Sequence, residues 1–286
     1  GLEEQRRYKM AEQQATQQST QQVTQQKFPS EIIDLPSEGK LYPKDHPCSD
    51  GKIEVKYMTA REEDILTSQN LITKGVVIDR VLDSLILTKG ISSNDLLLGD
   101  KNAVMVAARI LAYGPEYECE VTNPSNPLEK VKHTFNLADC PFKKLPKNIT
   151  ENKFEVDLPV SKSKITFKLL TGKEEESIQK DLKASQKIST MVSPELTTRL
   201  RYSITSIDGD ETQAVINNYV INMLARDSMF LRKKMREMTP DVELTQEIDI
   251  SSNFHLLIDR LSVNDNIRER LADSIQTAFH EGKGEC

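Results

Sequence analysis

The sequence predicts an α+β fold made of two tandem related lobes. Residues 51–66 (GKIEVKYMTAREEDIL) are echoed by residues 163–178 (SKITFKLLTGKEEESI), at an offset of 112 residues. In both copies apolar and polar residues first alternate, which is typical of a strand with one buried face. A threonine then stands three residues before a glutamate: Thr59 before Glu62, and Thr171 before Glu174. This capping-box spacing predicts a helix start, because the two side chains satisfy backbone N–H groups there.

A second correspondence supports the duplication. Residues 96–105 (LLLGDKNAVM) are similar to residues 223–232 (MLARDSMFLR), at an offset of 127 residues that sets Asp100 against Asp227. The change of offset requires an insertion of about fifteen residues, which is ordinary loop variation. We therefore expect each lobe to be a small antiparallel β-hairpin element packed with three to four helices.

The first lobe is predicted over residues 28–150. A strand at 32–35 leads into a turn, and helices follow up to Gly114-Pro115. Apolar residues at helical spacing predict those helices at about 60–70, 76–87 and 100–113, with a short one near Ser93. Residues 117–121 and 131–137 are then expected to form a hairpin with a long tip. Residues 1–27, rich in Gln and Thr, are expected to be disordered, or helical when a partner holds them.

The second lobe is predicted over residues 151–250 in the same order. Its expected elements are a hairpin (154–160 with 164–170), helices at 171–185, 194–207, 211–224 and 227–238, and a strand at 242–250. The extension 251–286 departs from the repeat and is predicted to be helical, at 254–261 and 265–280. The second of these helices carries one apolar stripe, which either packs on the second lobe or docks on a partner: Ile267, Leu271, Ile275 and Phe279.

The composition narrows the class of function. A formal charge of −6, no tryptophan and 37% hydrophobic residues argue against nucleic acid as a main partner. Four cysteines without a C-x-x-C pair favour a reducing compartment over a disulfide framework. No apolar run approaches the ~20 residues of a membrane span. We therefore expect a protein that works, or is assembled, inside a cell.

No catalytic, cofactor-binding or metal-binding motif stands out. The glutamates that follow Thr59 and Thr171, like Asp100 and Asp227, lie where a helix start attracts carboxylates, so acid–base chemistry is the weaker explanation. The four histidines have no H-x-x-x-H spacing, and neither a P-loop nor a G-x-S-x-G motif is present. Cys119, His133 and Cys140 lack a fourth zinc ligand. A non-enzymatic protein without a cofactor or small-molecule substrate is the expectation.

Several blocks resemble the baseplate hub assembly proteins of T-even-type contractile-tailed phages. They are residues 35–43 (LPSEGKLYP), 53–85 and 96–117 in the first lobe, with further matches in the second up to about Ile250. The resemblance implies a viral structural or assembly role at the central baseplate hub, beside other hub proteins and the tape measure protein. A transient chaperone that leaves before the virion matures is the alternative, and a small hydrolase or transferase is the third hypothesis.

The expected contacts with such partners are the loop at 35–43, the two hairpin tips and the C-terminal stripe. Within that loop, Leu35, Pro36, Gly39 and Tyr42 are the interface candidates. We expect the protein in the host cytoplasm during assembly, and in the tail baseplate if it stays in the virion.

The resemblance also implies a C-P-x-C knuckle in the first hairpin and a C-x-x-C pair at the matching place in the second lobe. Here those places read N-P-S-N (123–126) and I-S-S-N (250–253), so all four thiols are missing. One shared four-thiolate site explains the joint loss, because either pair alone would leave a zinc ion half coordinated.

We therefore predict that the purified protein holds no structural zinc. Elemental analysis of protein prepared without chelators should give well under one zinc per chain, and chelator should leave the melting temperature unchanged. Stoichiometric zinc would contradict the prediction.

Overall fold

Small antiparallel sheets and helices follow one another along the chain in this computed structural model. The structure describes residues 28–123, 126–188, 193–249 and 255–258. The described residues from Glu31 onward belong to one compact unit. Every sheet within them is antiparallel and has two or three strands, so the α+β class predicted from the sequence is confirmed.

The first repeat, as we call it, runs from β1 to β4. It contains β1 (Ser30–Asp34), β2 (Lys52–Lys56), α1 (Ala60–Leu66), α2 (Gln69–Lys74), α3 (Val77–Leu85), a 3₁₀ turn (Ser93–Asp95), α4 (Leu98–Tyr113), β3 (Glu116–Asn123) and β4 (Asn126–Asn136). β1 pairs with β2, and β3 with β4. α3 buries one continuous apolar side, as its i, i+3, i+4 spacing predicts.

The second repeat follows a 3₁₀ turn (Leu137–Asp139) and the short strand β5 (Phe142–Lys143). It contains β6 (Phe154–Asp157), β7 (Lys164–Phe167), α5 (Gly172–Ile188), α6 (Glu195–Ser203), β8 (Ile204–Ile207), α7 (Gln213–Asn222), α8 (Ala225–Met238), β9 (Asp241–Val242), β10 (Gln246–Asp249) and β11 (His255–Ile258). β6, β7 and β8 form one sheet, β10 pairs with β11, and β9 pairs with β5.

The two repeats share their order of elements. The pair β1–β2 corresponds to β6–β7, α1 to α5, α4 to α8, and the hairpin β3–β4 to β10–β11. An isolated bridge between Val55 and Ile86 stands where Phe167 pairs with Ile204 in the second repeat. These matches extend the sequence correspondence to strand pairing.

Each repeat contributes most of one apolar core. One core collects buried side chains of β2, α3 and α4, and the other those of β6 to β8 and α5 to α8. Leu41 and Leu97 come from the first repeat but pack in the second core. Tyr42 packs against both cores. The cores are therefore connected by residues of the first repeat.

Two segments predicted as helix contain strands. The helix expected at 194–207 ends at Ser203, and Ile204–Ile207 pairs with β7. The helix expected at 254–261 is wrong over His255–Ile258, which pairs with β10. In both segments β-branched or other apolar residues gain a ladder of non-local hydrogen bonds, and that pairing outweighs local helical spacing. Residues 1–27 and the stripe at 267–279 lie outside the described residues.

We predict that Phe167→Ala lowers the free energy of unfolding by about 3–5 kcal/mol, because a fully buried ring is lost and a cavity is left. Phe167 has no exposed surface and stacks on Phe154 with ring centroids 5.3 Å apart. Urea denaturation followed by circular dichroism measures the change. The exposed Ile188→Ala is the control, for which we expect about 0.5 kcal/mol or less. Equal effects of the two substitutions would contradict this account of the core.

Candidate functional site

The turn between β2 and α1 holds a buried ion pair. The Glu62 carboxylate accepts hydrogen bonds from the Lys56 ammonium at 2.7 Å and from the Ser84 hydroxyl at 2.6 Å. Its other oxygen accepts from the N–H and hydroxyl of Thr59, so the predicted capping box is present. Burial raises the pKa of Glu62, but these hydrogen bonds outweigh burial and lower it to about 2. The glutamate is thus an ionised structural anchor.

The same device recurs between β7 and α5. Lys168 donates to Glu174 at 2.6 Å, and the N–H of Thr171 donates to the same carboxylate at 2.7 Å. Burial raises the pKa of Glu174, and the hydrogen bonds from Lys168 and Thr171 bring it below its usual value. The second copy is more exposed than the first. Both predicted Thr–Glu pairs are therefore helix caps with a lysine added.

Asp100 anchors the loop after β1 to the first turn of α4. It is fully buried and accepts from the N–H of Ser37 at 2.9 Å, the hydroxyl of Ser37 at 2.6 Å and the hydroxyl of Tyr42 at 2.7 Å. The Tyr42 oxygen in turn accepts from the N–H of Leu97 at 2.9 Å. Burial raises the pKa of Asp100 despite these bonds, and burial with the Asp100 charge raises the pKa of Tyr42.

Asp227 performs the equivalent task in the second repeat. It lies in the first turn of α8, is fully buried, and accepts from the N–H groups of Val160 at 2.8 Å and Ser161 at 3.0 Å. Burial raises the pKa of Asp227, but the two backbone N–H groups outweigh it and lower the pKa. Helix-start positions explain why both aspartates were predictable, whereas their distant donors were not.

A backbone joint connects the two repeats. Leu97 and Thr171 form an antiparallel bridge, in which the N–H of Leu98 donates to Leu170 and the N–H of Gly172 donates to Leu96. A Cβ on Gly172 would lie 2.7 Å from the Cα of Asn94, so only glycine permits this approach. We call the contact of Leu96–Leu98 with residues 170–172 the inter-repeat joint.

A second contact lies beside the inter-repeat joint, where β9 packs on α4. Asn102 donates to the Asp241 carboxylate at 3.2 and 3.3 Å. The carbonyl of Pro240 comes so close to Gly99 that a Cβ there would lie 1.8 Å from it. Burial raises the pKa of Asp241 to about 6, with hydrogen bonds from Asn102 and the N–H of Val242 acting against it.

The interface candidates of the loop at 35–43 lie largely inside the molecule. Leu35, Pro36 and Gly39 are buried, and Tyr42 is half-buried. A Cβ on Gly39 would lie 2.4 Å from the carbonyl oxygen of Ser49, so the loop closes on itself. The hairpin tips (124–125 and 250–254) and the stripe residues Ile267, Leu271, Ile275 and Phe279 fall outside the described residues.

Three features of the site were missed in the sequence. Lys56 and Lys168 had a visible signal, because each precedes its capping threonine by three residues at the shared offset. Gly99 and Gly172 had a weaker one, since glycine is unfavourable in a first helical turn unless backbone must come close. Ser84 had none, because it reaches Glu62 from another helix.

The described residues offer little for bond-making chemistry. No group of three or more His, Cys, Asp or Glu side chains among them is arranged to hold a metal ion. His46 stacks on Tyr42 and accepts from the N–H of Cys48, so its ring is part of the loop structure. No helix in this part of the chain combines the length and the apolar character of a membrane span.

The fold and its anchored carboxylates define a class of protein: a duplicated scaffold whose buried charges connect one part of the chain to another. A family model described as T4 bacteriophage base plate protein matches residues 29–253. The chain belongs to this family, which gives it a structural or assembly role in a phage tail, among protein partners there.

A second family model, described as UvrA interaction domain, matches residues 226–286. It covers about a fifth of the chain and overlaps the first match, so it does not define the family. Comparisons with curated proteins and with solved structures gave no match.

We predict that Glu62→Gln removes a pH dependence of stability on the acid side. The folded pKa of about 2 lies below the ordinary 4.5, so ionised Glu62 stabilises the fold above pH 4.5. That contribution, on the order of 3 kcal/mol, is lost as the pH falls from about 4.5 to about 2. Urea denaturation at several pH values measures it, with the exposed Glu176→Gln as control. Parallel pH curves for Glu62→Gln and the unmodified protein would refute the prediction.

Asp241→Asn should have the opposite effect. The folded pKa of about 6 lies above the ordinary 3.8, so burying the ionised group costs stability once the pH exceeds 6. The unmodified protein should lose on the order of 2 kcal/mol between about pH 4 and pH 6, and the variant should not. The same denaturation series tests this, with the exposed Asp157→Asn as control. A variant less stable than the unmodified protein at pH 7 would count against it.

Proposed function

We propose that this chain is a non-enzymatic component of the central baseplate hub, or a hub assembly factor, that acts through protein–protein contacts. The observation that carries the proposal is the state of the buried carboxylates. Within the described residues, each buried Asp or Glu side chain is held by donors of the same chain: Glu62, Asp100, Glu175 and Asp227. A general acid or base needs access to a substrate proton, and these groups have none.

The surface of the second repeat also supports a role in contact. Large apolar side chains on and between α7 and α8 face outward, among them Ile221, Leu224 and Met229. Exposed apolar groups gathered on adjoining elements are typical of surfaces that bind other proteins. The family supports a tail role, and the blocks similar to hub assembly proteins favour the hub, with other hub proteins and the tape measure protein as partners.

The proposal is tested by recovering the tagged chain from infected cells at successive stages of tail assembly. Hub proteins and the tape measure protein should co-purify with it, and mass spectrometry should find the chain in tail intermediates. Tagged protein from uninfected cells, mixed with lysate of a phage lacking the hub genes, is the control. A chain recovered alone and absent from tail intermediates would contradict the proposal.

Purified virions separate the hub component from the transient chaperone. A hub component is present in finished particles at a fixed ratio to other baseplate proteins. A chaperone is present in tail intermediates and absent from the virion. Mass spectrometry of particles purified through a density gradient gives the answer.

A further inference from the structure

One face of the second repeat is uncovered, although its counterpart in the first repeat is an interface. Ile221, Leu224 and Met229 are 67%, 51% and 60% exposed. At the offset of 127 residues they correspond to Asn94, Leu97 and Asn102. We call these three residues of the second repeat the open face.

All three counterparts contact the other repeat. Asn94 packs against Gly172, Leu97 forms the bridge with Thr171, and Asn102 donates to Asp241. Leu97 is consequently only 3% exposed. The positions that join the first repeat to the second are thus occupied by large apolar side chains in the second repeat, where the structure leaves them exposed to solvent.

The backbone at the open face has unused hydrogen-bonding groups. In the inter-repeat joint, Leu98 donates its N–H and Leu96 offers its carbonyl. The corresponding groups are the N–H of Ala225 and the carbonyl of Met223, and neither bonds to another described residue. Met223 to Ala225 also has the extended entry into a helix seen at Leu96 to Leu98, with Leu224 and Leu97 as helix N-caps.

The first repeat carries the complementary segment. At the offset of 112 residues, the joint segment 170–172 corresponds to residues 58–60. Ala60 is exposed, and Met58 and Thr59 are half-buried. The carbonyl of Met58 and the N–H of Ala60, counterparts of the bonded groups of Leu170 and Gly172, have no hydrogen-bond partner among the described residues. One chain therefore holds both halves of a second joint, at separate places on its surface.

We propose that the open face binds residues 58–60 of a second copy of this chain, head to tail. Thr59 of one copy lies opposite Leu224 of the next. The N–H of Ala60 donates to the carbonyl of Met223, and the N–H of Ala225 donates to the carbonyl of Met58. The contact joins different surfaces of the two copies, so it builds rings or open chains. This inference depends on the fold, and it holds whether or not the chain works at the hub.

Two substitutions make the second joint looser than the inter-repeat joint. Ala60 stands where Gly172 does, and a Cβ at Gly172 would approach Asn94 too closely. Arg226 stands where Gly99 receives Pro240, so no contact like that of β9 can form. The association is therefore weaker than the joint within the chain and depends on concentration. It also predicts that removing the Ala60 methyl group strengthens it.

Directed disulfide formation tests the geometry. Flanking hydrogen bonds make Leu97 and Thr171 a non-hydrogen-bonded antiparallel pair, whose close Cα atoms suit a disulfide. We would mix a Thr59→Cys chain with a Leu224→Cys chain, both with Cys119, Cys140 and Cys286 changed to serine. A disulfide-linked dimer should form under mild oxidation in the mixture and in neither chain alone. The matched control is Thr59→Cys mixed with the exposed Ile188→Cys. Equal yields with the control, or no dimer from either mixture, would overturn the proposal.

Sedimentation of otherwise unmodified chains tests the energetics. Ala60→Gly should raise the association constant several-fold, and Leu224→Asp should lower it at least tenfold. Ile188→Asp, which adds the same charge at another exposed apolar residue, should leave it unchanged. Melting temperatures show that each variant is folded. If Leu224→Asp leaves self-association unchanged and instead abolishes binding of another tail protein, the face belongs to that protein and the proposal is wrong.

Discussion

An ionised or polar group that loses contact with water must find its partners within the protein, and Asp100 shows how far this constraint reaches. Its three hydrogen bonds come from Ser37 and Tyr42, residues 63 and 58 positions away along the chain. They hold the loop after β1 against the first turn of α4. The Tyr42 oxygen then fixes the N–H of Leu97, the residue that pairs with Thr171. One buried carboxylate thus orients the backbone on which the contact between the repeats depends.

Duplication explains why the same physical solution occurs twice, and divergence explains why the copies differ. Both repeats use a lysine, a threonine and a glutamate where a strand enters a helix, and both bury an aspartate in the first turn of a later helix. In the first repeat Glu62 is fully buried and has an additional donor in Ser84. In the second, Glu174 is partly exposed, and Asp227 is held mainly by backbone N–H groups. The first repeat carries more of its polar network inside, which agrees with its contribution to both cores.

The sequence predicted what is local and missed what is distant. Thr59 with Glu62, and Thr171 with Glu174, were predictable because a capping box is a spacing within four residues. The α+β class followed from the alternation of apolar residues. Ile204–Ile207 and His255–Ile258 were assigned to helices because their strands exist only through pairing with β7 and β10. Asp241 gave no signal either, since its burial comes from α4, far away in sequence. Lys56 and Lys168 were within reach, because the repeat itself placed them in register.

The inter-repeat joint also imposes an order on the birth of the molecule. Leu96 and Leu98 receive their backbone partners from residues 170–172, and roughly 75 residues of chain lie between them. A ribosome adding about 5–20 residues per second needs roughly 4–15 s to make that length. During this interval the first repeat has left the site of synthesis with one edge still facing water. The protein is therefore completed from its middle, and its earlier half waits for its later half.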